Sequence, residues 1–218
     1  MMADKSNSGG IKIVLLGDSG VGKTCIISRY ISGSFEANEK STNGASYASK
    51  RVDYPDIKKS LILDIWDTAG QEKFKALTKF FYKDAAIVIL VYDITRRDSF
   101  DNLKNVWHPE VLEHGAKDLV FGVVGNKSDL YESEAVPETE ARDFAKSINA
   151  LFALTSAQNN SGIDEFFYNI GNKYLDPNFQ EKVSDAQKQH SQSIAINKEQ
   201  HNEHNEQTKE KKKKKGFC

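Results

Sequence analysis

Short extended segments alternate with amphipathic stretches along residues 11–176. Six segments predict β-strands, at 11–16, 47–54, 59–66, 87–92, 120–125 and 151–154. Four stretches with apolar residues at helical spacing predict α-helices, at 23–31, 98–113, 137–147 and 163–174. Because strands alternate with helices, we expect right-handed βαβ units around a mainly parallel sheet.

Three positions mark turns and weak points of these elements. Pro55-Asp56 lies between the second and third strands and predicts a hairpin turn. Asp98 is expected to cap the second predicted helix. Pro109 lies inside that helix, where it should cost about 3 kcal/mol or force a bend.

Composition changes near residue 177. Downstream, few aliphatic residues interrupt a run of Gln, Asn, His, Glu and Lys, which cannot bury enough apolar surface to offset its ordering entropy. The formal net charge of -1 hides two regions of opposite charge. Residues 1–180 carry 21 basic and 25 acidic groups, whereas residues 181–218 carry 9 basic and 6 acidic groups. We expect a flexible N-terminus at 1–10, one domain at 11–176, and a mobile, polybasic tail at 177–218.

Several protein classes are disfavoured by simple counts. Near-neutral charge argues against a nucleic-acid-coating protein. The two cysteines lie far apart in sequence, which excludes a disulfide framework and favours a reducing compartment. The polar N-terminus predicts no signal peptide, and no run of about 18 apolar residues predicts a transmembrane segment. We therefore expect a soluble intracellular protein.

A phosphate-binding motif follows the first strand directly. It consists of Gly17, Asp18, Ser19, Gly20, Val21, Gly22, Lys23 and Thr24, with Cys25 next in the helix. Its glycines allow successive backbone N–H groups to converge on an anion, and the following helix aims its positive end at the same place. Lys23 would contact the β- and γ-phosphates, and Thr24 would offer a hydroxyl to Mg2+. Cys25 is interpreted as a small packing residue rather than a reactive thiol.

A second motif predicts the base. Asn126, Lys127 and Asp129 follow the fifth strand, at the edge where α/β sheets bind ligands. A carboxylate at 129 can accept both hydrogens of the N1–H and 2-amino group of guanine, which adenine lacks in that geometry. Lys127 would lie along the ring, and Asn126 would tie this segment to the phosphate motif. Ser156, Ala157 and Gln158 follow the last strand, and Ala157 could donate its backbone N–H to guanine O6.

A third motif predicts hydrolysis. Asp67 follows the third strand and is placed to hold Mg2+ through a water. Gly70 would let its N–H approach a γ-phosphate, and Gln71 would orient the attacking water. Residues 36–42 contain no arginine, so we expect slow intrinsic hydrolysis that a partner accelerates.

Together and in this order, the motifs resemble the Ras superfamily of small GTPases over about residues 11–175. Residues 66–74, 81–85 and 91–95 look like its Rab branch, and residues 41–47 are similar to Rabs of the early endocytic group. The resemblance implies an α/β fold of the P-loop NTPase type, with a six-stranded, mostly parallel sheet flanked by helices on both faces.

The resemblance also implies roles for single residues. Thr42 would close on Mg2+ when γ-phosphate is present, and Phe35 would pack against guanine. An effector surface would include Asn43, Tyr47, Trp66 and Phe81. Asn43 and Gln158 depart from the family pattern, since an aliphatic residue and a lysine are usual there.

The chain's last residues resemble a membrane anchor. Five consecutive lysines, Lys211 to Lys215, precede Gly216, Phe217 and Cys218. On a Rab-like domain this predicts prenylation of Cys218, with the lysines as a second membrane signal. A solubilising tail or a nuclear-targeting run are the alternatives. Rabs usually end in two cysteines, and this chain ends in one.

The resulting hypothesis is a Rab-type switch that hydrolyses GTP and regulates vesicle traffic. Its expected partners are an exchange factor, a GTPase-activating protein, a GDP-dissociation inhibitor, a prenyltransferase, effectors and a membrane, but no nucleic acid. It would cycle between cytoplasm and the cytosolic face of an endosome or transport vesicle. The alternatives are a GTP-binding interaction module with little turnover, a P-loop kinase, and a Ras- or Rho-like switch, which would call for a C-terminal prenylation box.

Overall fold

The computed structural model describes residues 9–37, 45–68 and 82–179. Its strands are β1 (Ile11–Leu16), β2 (Ala45–Tyr54), β3 (Lys59–Thr68), β4 (Ile87–Asp93), β5 (Val120–Asn126) and β6 (Leu151–Thr155). Its helices are α1 (Lys23–Ser32), α2 (Arg97–Asn102), α3 (His108–His114), α4 (Glu138–Ser147) and α5 (Ile163–Leu175), with a π-helical turn at Leu103–Trp107 between α2 and α3. All six predicted strands and all four predicted helices are present.

The strands form one sheet in the order β2-β3-β1-β4-β5-β6. Only the β2–β3 pair is antiparallel, and a short helical turn at Pro55–Ile57 closes that hairpin as Pro55-Asp56 predicted. The other neighbouring pairs are parallel. In the sheet, β3 and β4 lie on opposite sides of β1, so the strand order reverses direction at β1. Open α/β sheets bind ligands at the carboxyl ends of the strands at such a reversal.

Two apolar clusters cover the two faces of this sheet. Successive β1 residues alternate between them, because side chains on a strand point to opposite faces. One cluster packs against α1 and α5 through Ile26, Tyr30 and Phe167. The other packs against the 97–114 segment and α4 and includes Trp107 and Ala141. The mixed helix–sheet architecture confirms the predicted fold class.

The strand ends and one helix cap differ from the expectations. β2 begins at Ala45 and β3 extends through Asp67 to Thr68, because these residues pair with one another across the hairpin. The prediction that Asp98 caps the helix is wrong. Arg96 occupies the N-cap position of α2, and no side chain forms a capping hydrogen bond there. Asp98 lies in the first turn of α2.

Pro109 is accommodated by a change of helix type. The His108 N–H bonds to the Leu103 carbonyl five residues back, and Pro109 then lies in the first turn of α3. An α-helical path would press the proline ring against the Asn105 carbonyl four residues back. The wider π turn relieves that clash, so the segment stays helical from Arg97 to His114.

The hydroxyl of Tyr92 allows a test of the packing between β4 and β5. The Tyr92 side chain is fully buried against Gly125, and its Oη has no hydrogen-bond partner among the described residues. Removing this hydroxyl abolishes a desolvation cost, so Tyr92→Phe should raise the free energy of unfolding by about 1 kcal/mol. In urea denaturation, the midpoint should increase. Tyr82→Phe is the matched control, because its equally buried hydroxyl donates to Glu110 (3.2 Å) and its loss should destabilise the protein. An equal loss of stability in both variants would contradict the assignment.

Candidate nucleotide site

The residues 17–24, called the phosphate loop below, connect β1 to α1 at the carboxyl edge of the sheet. Gly17, Gly20 and Gly22 have φ values of 149°, 78° and 94°, which side-chain-bearing residues rarely adopt. A Cβ at Gly22 would lie 2.3 Å from Nδ2 of Asn126. The loop therefore needs glycine there both for its backbone path and for the close approach of β5.

Lys23 lies inside this loop rather than on the surface. Its ammonium donates to the carbonyls of Gly17 (2.8 Å) and Asp18 (2.9 Å). Burial lowers the pKa of Lys23 to about 8, while the carboxylates of Asp67 and Asp18 oppose the shift. A buried cation at a helix N-terminus is suited to an anion with several charged oxygens, because each phosphate oxygen would offset the desolvation of the ammonium.

Oxygen ligands for a hard cation meet beside Lys23. The Thr24 hydroxyl donates to the Asp67 carboxylate at 2.6 Å, and Asp67 is buried at the end of β3. A hydroxyl and a carboxylate are oxygen donors of the kind that Mg2+ prefers. Within residues 9–37, 45–68 and 82–179, three or more His, Cys, Asp or Glu side chains do not gather into a metal site. Thr24 and Asp67 could therefore supply part of the ligand set of such a cation.

Asn126 connects the phosphate loop to the opposite half of the site. Its side-chain amide donates to the Val21 carbonyl at 2.9 Å and accepts from the Thr155 hydroxyl at 3.2 Å. Asn126, Thr155 and Val21 are all buried. The expected tie between this residue and the phosphate loop is present as a hydrogen bond, and it extends to the end of β6.

The neighbouring polar residues are oriented by their own partners. The Lys127 ammonium pairs with the buried Asp93 carboxylate at 2.6 Å. The Ser156 hydroxyl donates to the Asp129 carboxylate and accepts from the Asn159 N–H. Ser156 thus holds one oxygen of Asp129, which fixes the orientation of the carboxylate.

Arg29 of α1 joins the remaining residues of this half. Its guanidinium donates to the carbonyls of Ala157 (2.7 Å) and Gln158 (3.2 Å). It also lies 5.8 Å from the ring centroid of Phe35. Phe35, Ala157 and Gln158 are therefore brought to one side of the site, and the unusual side chain at 158 leaves its backbone contact with Arg29 intact.

The predicted effector surface is described in part. Tyr47 of β2 is exposed and packs edge-on against Trp66 of β3, with ring centroids 5.3 Å apart. The Tyr47 hydroxyl donates to Asp64 at 2.7 Å. The predicted residues Thr42, Asn43, Gly70, Gln71, Phe81 and Cys218 lie outside the described residues.

Sequence reasoning missed the side chains that support the site from other elements. Arg29 and Asp93 orient the base-side residues, and Arg96 donates to the Ser19 carbonyl at 3.0 Å. The carboxylate of Asp18 accepts from Trp107. Arg29, Arg96 and Trp107 belong to none of the motifs described above, and tertiary structure alone brings them to the site. Asp93 lies in the 91–95 segment, but its pairing with Lys127 was not predicted. Cys25 lies partly buried in the first turn of α1 against the apolar cluster, as a packing residue would.

Comparison with known proteins agrees with this geometry. The Ras family model matches residues 12–176. The chain is 44% identical over 164 residues to Ras-related protein Rab-22A of Homo sapiens, which covers 75% of this chain and 82% of that protein. It is 43% identical over 170 residues to Ras-related protein Rab-31 of Rattus norvegicus, covering 77% and 85% of the two chains. It is also 42% identical over 159 residues to Ras-related protein RGP2 of Oryza sativa subsp. japonica, covering 73% and 72%.

The family match spans most of the chain, and its members hydrolyse GTP. The motifs, the sheet order and the relatives lead to the same assignment. The predicted resemblance is confirmed: this chain belongs to the Ras family of small GTPases, in its Rab branch.

Proposed function

We propose that this Rab GTPase is a Mg2+-dependent switch in endocytic vesicle traffic, with residues 17–24, 126–129 and 156–158 as its nucleotide site. Residues 41–47 support the endocytic assignment, because they resemble the corresponding segment of early endocytic Rabs. None of the helices in the described part of the chain is long and apolar enough to cross a bilayer.

The observation that carries the proposal is the meeting of two sets of groups at one edge of the sheet. Lys23, Thr24 and Asp67 form a set suited to phosphate and a cation. Asn126 and Asp129 form a set suited to guanine, and the Asn126–Val21 bond joins it to the first. A kinase acting on ATP would have no use for a fixed carboxylate at 129.

The hydrolytic roles follow from this arrangement. Lys23 and the loop N–H groups stabilise negative charge that builds up on the phosphate oxygens as the terminal bond breaks. Gln71 orients the attacking water. Mg2+, when bound, neutralises charge on the β- and γ-phosphate oxygens, and Thr24, Thr42 and Asp67 would hold it.

Intrinsic hydrolysis is slow in this proposal, and partner proteins control the timing. Residues 36–42 contain no arginine to stabilise the transition state, and an arginine supplied by a partner is worth about 10^3 to 10^5 in rate. Loss of the γ-phosphate releases Thr42 and Gly70, which changes the surface that effectors bind. A GTPase-activating protein and an exchange factor set the two steps of the cycle.

Membrane attachment is assigned to the polybasic tail. One prenyl chain on Cys218 gives only marginal, reversible membrane binding. Each of the lysines at 211–215 adds about 1 kcal/mol near an anionic leaflet. Such a reversible anchor suits extraction by a GDP-dissociation inhibitor, after a prenyltransferase has modified the chain.

The pKa of Lys23 predicts how nucleotide affinity depends on pH. In the free protein burial lowers this pKa to about 8, whereas bound phosphates should raise it. Above pH 8, GDP binding is then coupled to the uptake of a proton by Lys23. Well below pH 8 Lys23 is already protonated, and binding takes up no proton there. The affinity for GDP should therefore fall as pH rises from 8 to 9, approaching about tenfold per pH unit at the upper end.

Calorimetric titration with GDP, in buffers of different ionisation enthalpy, measures this proton uptake directly. Lys23→Arg is the control, because its guanidinium stays charged, so at pH 9 this variant should take up fewer protons than the wild type. Proton uptake at pH 9 equal to that at pH 6.5 in the wild type would contradict the assigned role of Lys23.

Localisation tests the switch and the anchor together. Gln71→Leu removes the group that orients water, so the variant should remain GTP-bound and accumulate on its membrane. Cys218→Ser removes the lipid acceptor and should remain in the cytosol. Fluorescence microscopy of tagged full-length chains, beside an early endosomal marker, distinguishes these outcomes.

The double variant provides the matched control for that experiment. With both changes the chain should be GTP-bound yet cytosolic, because the nucleotide state cannot replace the anchor. Membrane localisation of Cys218→Ser would refute the lipid assignment. Accumulation of Gln71→Leu on a compartment lacking the endosomal marker would refute the endocytic one.

A further inference from the structure

One segment of the chain holds the outer side of the phosphate loop. The Arg96 guanidinium donates to the Ser19 carbonyl at 3.0 Å. The Asn102 amide donates to one carboxylate oxygen of Asp18 at 2.7 Å, and the Trp107 indole N–H donates to the other at 2.8 Å. Both oxygens of Asp18 are therefore held by donors from the segment between β4 and α3.

The π turn is what places Asn102 and Trp107 on one face. Residues five apart on an α-helix lie about 140° apart around the axis. In a π turn the backbone hydrogen bond joins residues five apart, as the bond from the His108 N–H to the Leu103 carbonyl does here. Residues five apart therefore lie closer to the same face than they would in an α-helix. Asn102 and Trp107 are five apart, and this turn aims both at Asp18.

Trp107 makes this attachment rigid. Its side chain is 95% buried in the apolar cluster beneath the sheet, with only 5% exposed, so the indole N–H has a fixed position. Ser19 and Gly20, by contrast, are exposed. The outer half of the phosphate loop thus depends on polar bonds from this segment rather than on packing of its own side chains.

Asp18 transmits this constraint to Lys23. The Asp18 backbone carbonyl accepts from the Lys23 ammonium at 2.9 Å, while the Asp18 side chain is held by Asn102 and Trp107. A released carboxylate would leave the Asp18 backbone less constrained. Holding Asp18 therefore fixes one acceptor of Lys23.

We propose that Trp107 and Asn102 are positioning residues that act through Asp18 to slow the release of bound nucleotide. The proposal rests on the nucleotide site proposed above. It makes the π turn a functional part of the site, since that turn aligns the two donors with the loop.

The test is the rate at which the full chain releases GDP carrying a fluorescent N-methylanthraniloyl group, measured with Mg2+ and excess unlabelled GDP. Trp107→Phe keeps an aromatic ring but removes the N–H donor. It should speed release about tenfold, the factor that corresponds to about 1.4 kcal/mol. Asn102→Ala, at an exposed position, should speed release in the same direction without endangering the fold.

Two comparisons separate positioning from a general loss of stability. In an Asp18→Ala background the acceptor is gone, so adding Trp107→Phe should change the rate less than twofold. Asn105→Ala removes the other, exposed asparagine of the same turn and should leave release unchanged. Thermal denaturation of each variant shows whether the rates of GDP release follow changes in the stability of the fold.

The possible results are distinguishable. Equal acceleration by Trp107→Phe with and without Asp18 would overturn the inference, as would unchanged release in both Trp107→Phe and Asn102→Ala. Failure of the wild-type chain to bind the labelled GDP would instead refute the nucleotide site itself. Coupled acceleration through Asp18 alone would establish the positioning role.

Discussion

The placement of a buried lysine in a glycine-rich loop at a helix N-terminus is the constraint on which the proposed switch depends. Lys23 lies in a loop whose glycines bring backbone and ammonium to the carboxyl edge of the sheet. Its depressed pKa reflects the cost of holding a positive charge there without phosphate. Under the proposed function, bound phosphate would offset that cost, and the presence or absence of the terminal phosphate would set the state of the switch.

The phosphate loop is held from three directions by different parts of the fold. Thr24 reaches Asp67 of β3, Asn126 of β5 reaches the Val21 carbonyl, and Trp107 reaches Asp18. In β3, Asp67 directly follows Trp66, whose ring packs against Tyr47. Asp67, on the cation side of the candidate site, and Trp66, one member of the aromatic pair, are therefore adjacent residues of one strand.

The sequence predicted the elements well because apolar patterns and local motifs carry most of that information. The strands, the hairpin at Pro55-Asp56 and the phosphate loop all depend on residues close together in the chain. The final residues of β3 escaped prediction, since Asp67 and Thr68 are polar and extended only through pairing with Ser46 and Ala45. The contacts of Asp18 also escaped prediction, because Asn102 and Trp107 lie 84 and 89 residues from Asp18 in sequence. Pro109 predicted a distortion of the helix, but not that the distortion would be a π turn.

Hydrogen exchange of the full chain with GDP, and with a non-hydrolysable GTP analogue, tests the central claim most directly. If the site converts the terminal phosphate into loop structure, backbone amides at 36–46 and 70–82 should exchange more slowly with the GTP analogue, while those of β1 and β4 should be unchanged. Identical exchange in the two nucleotide states at both segments would contradict the account.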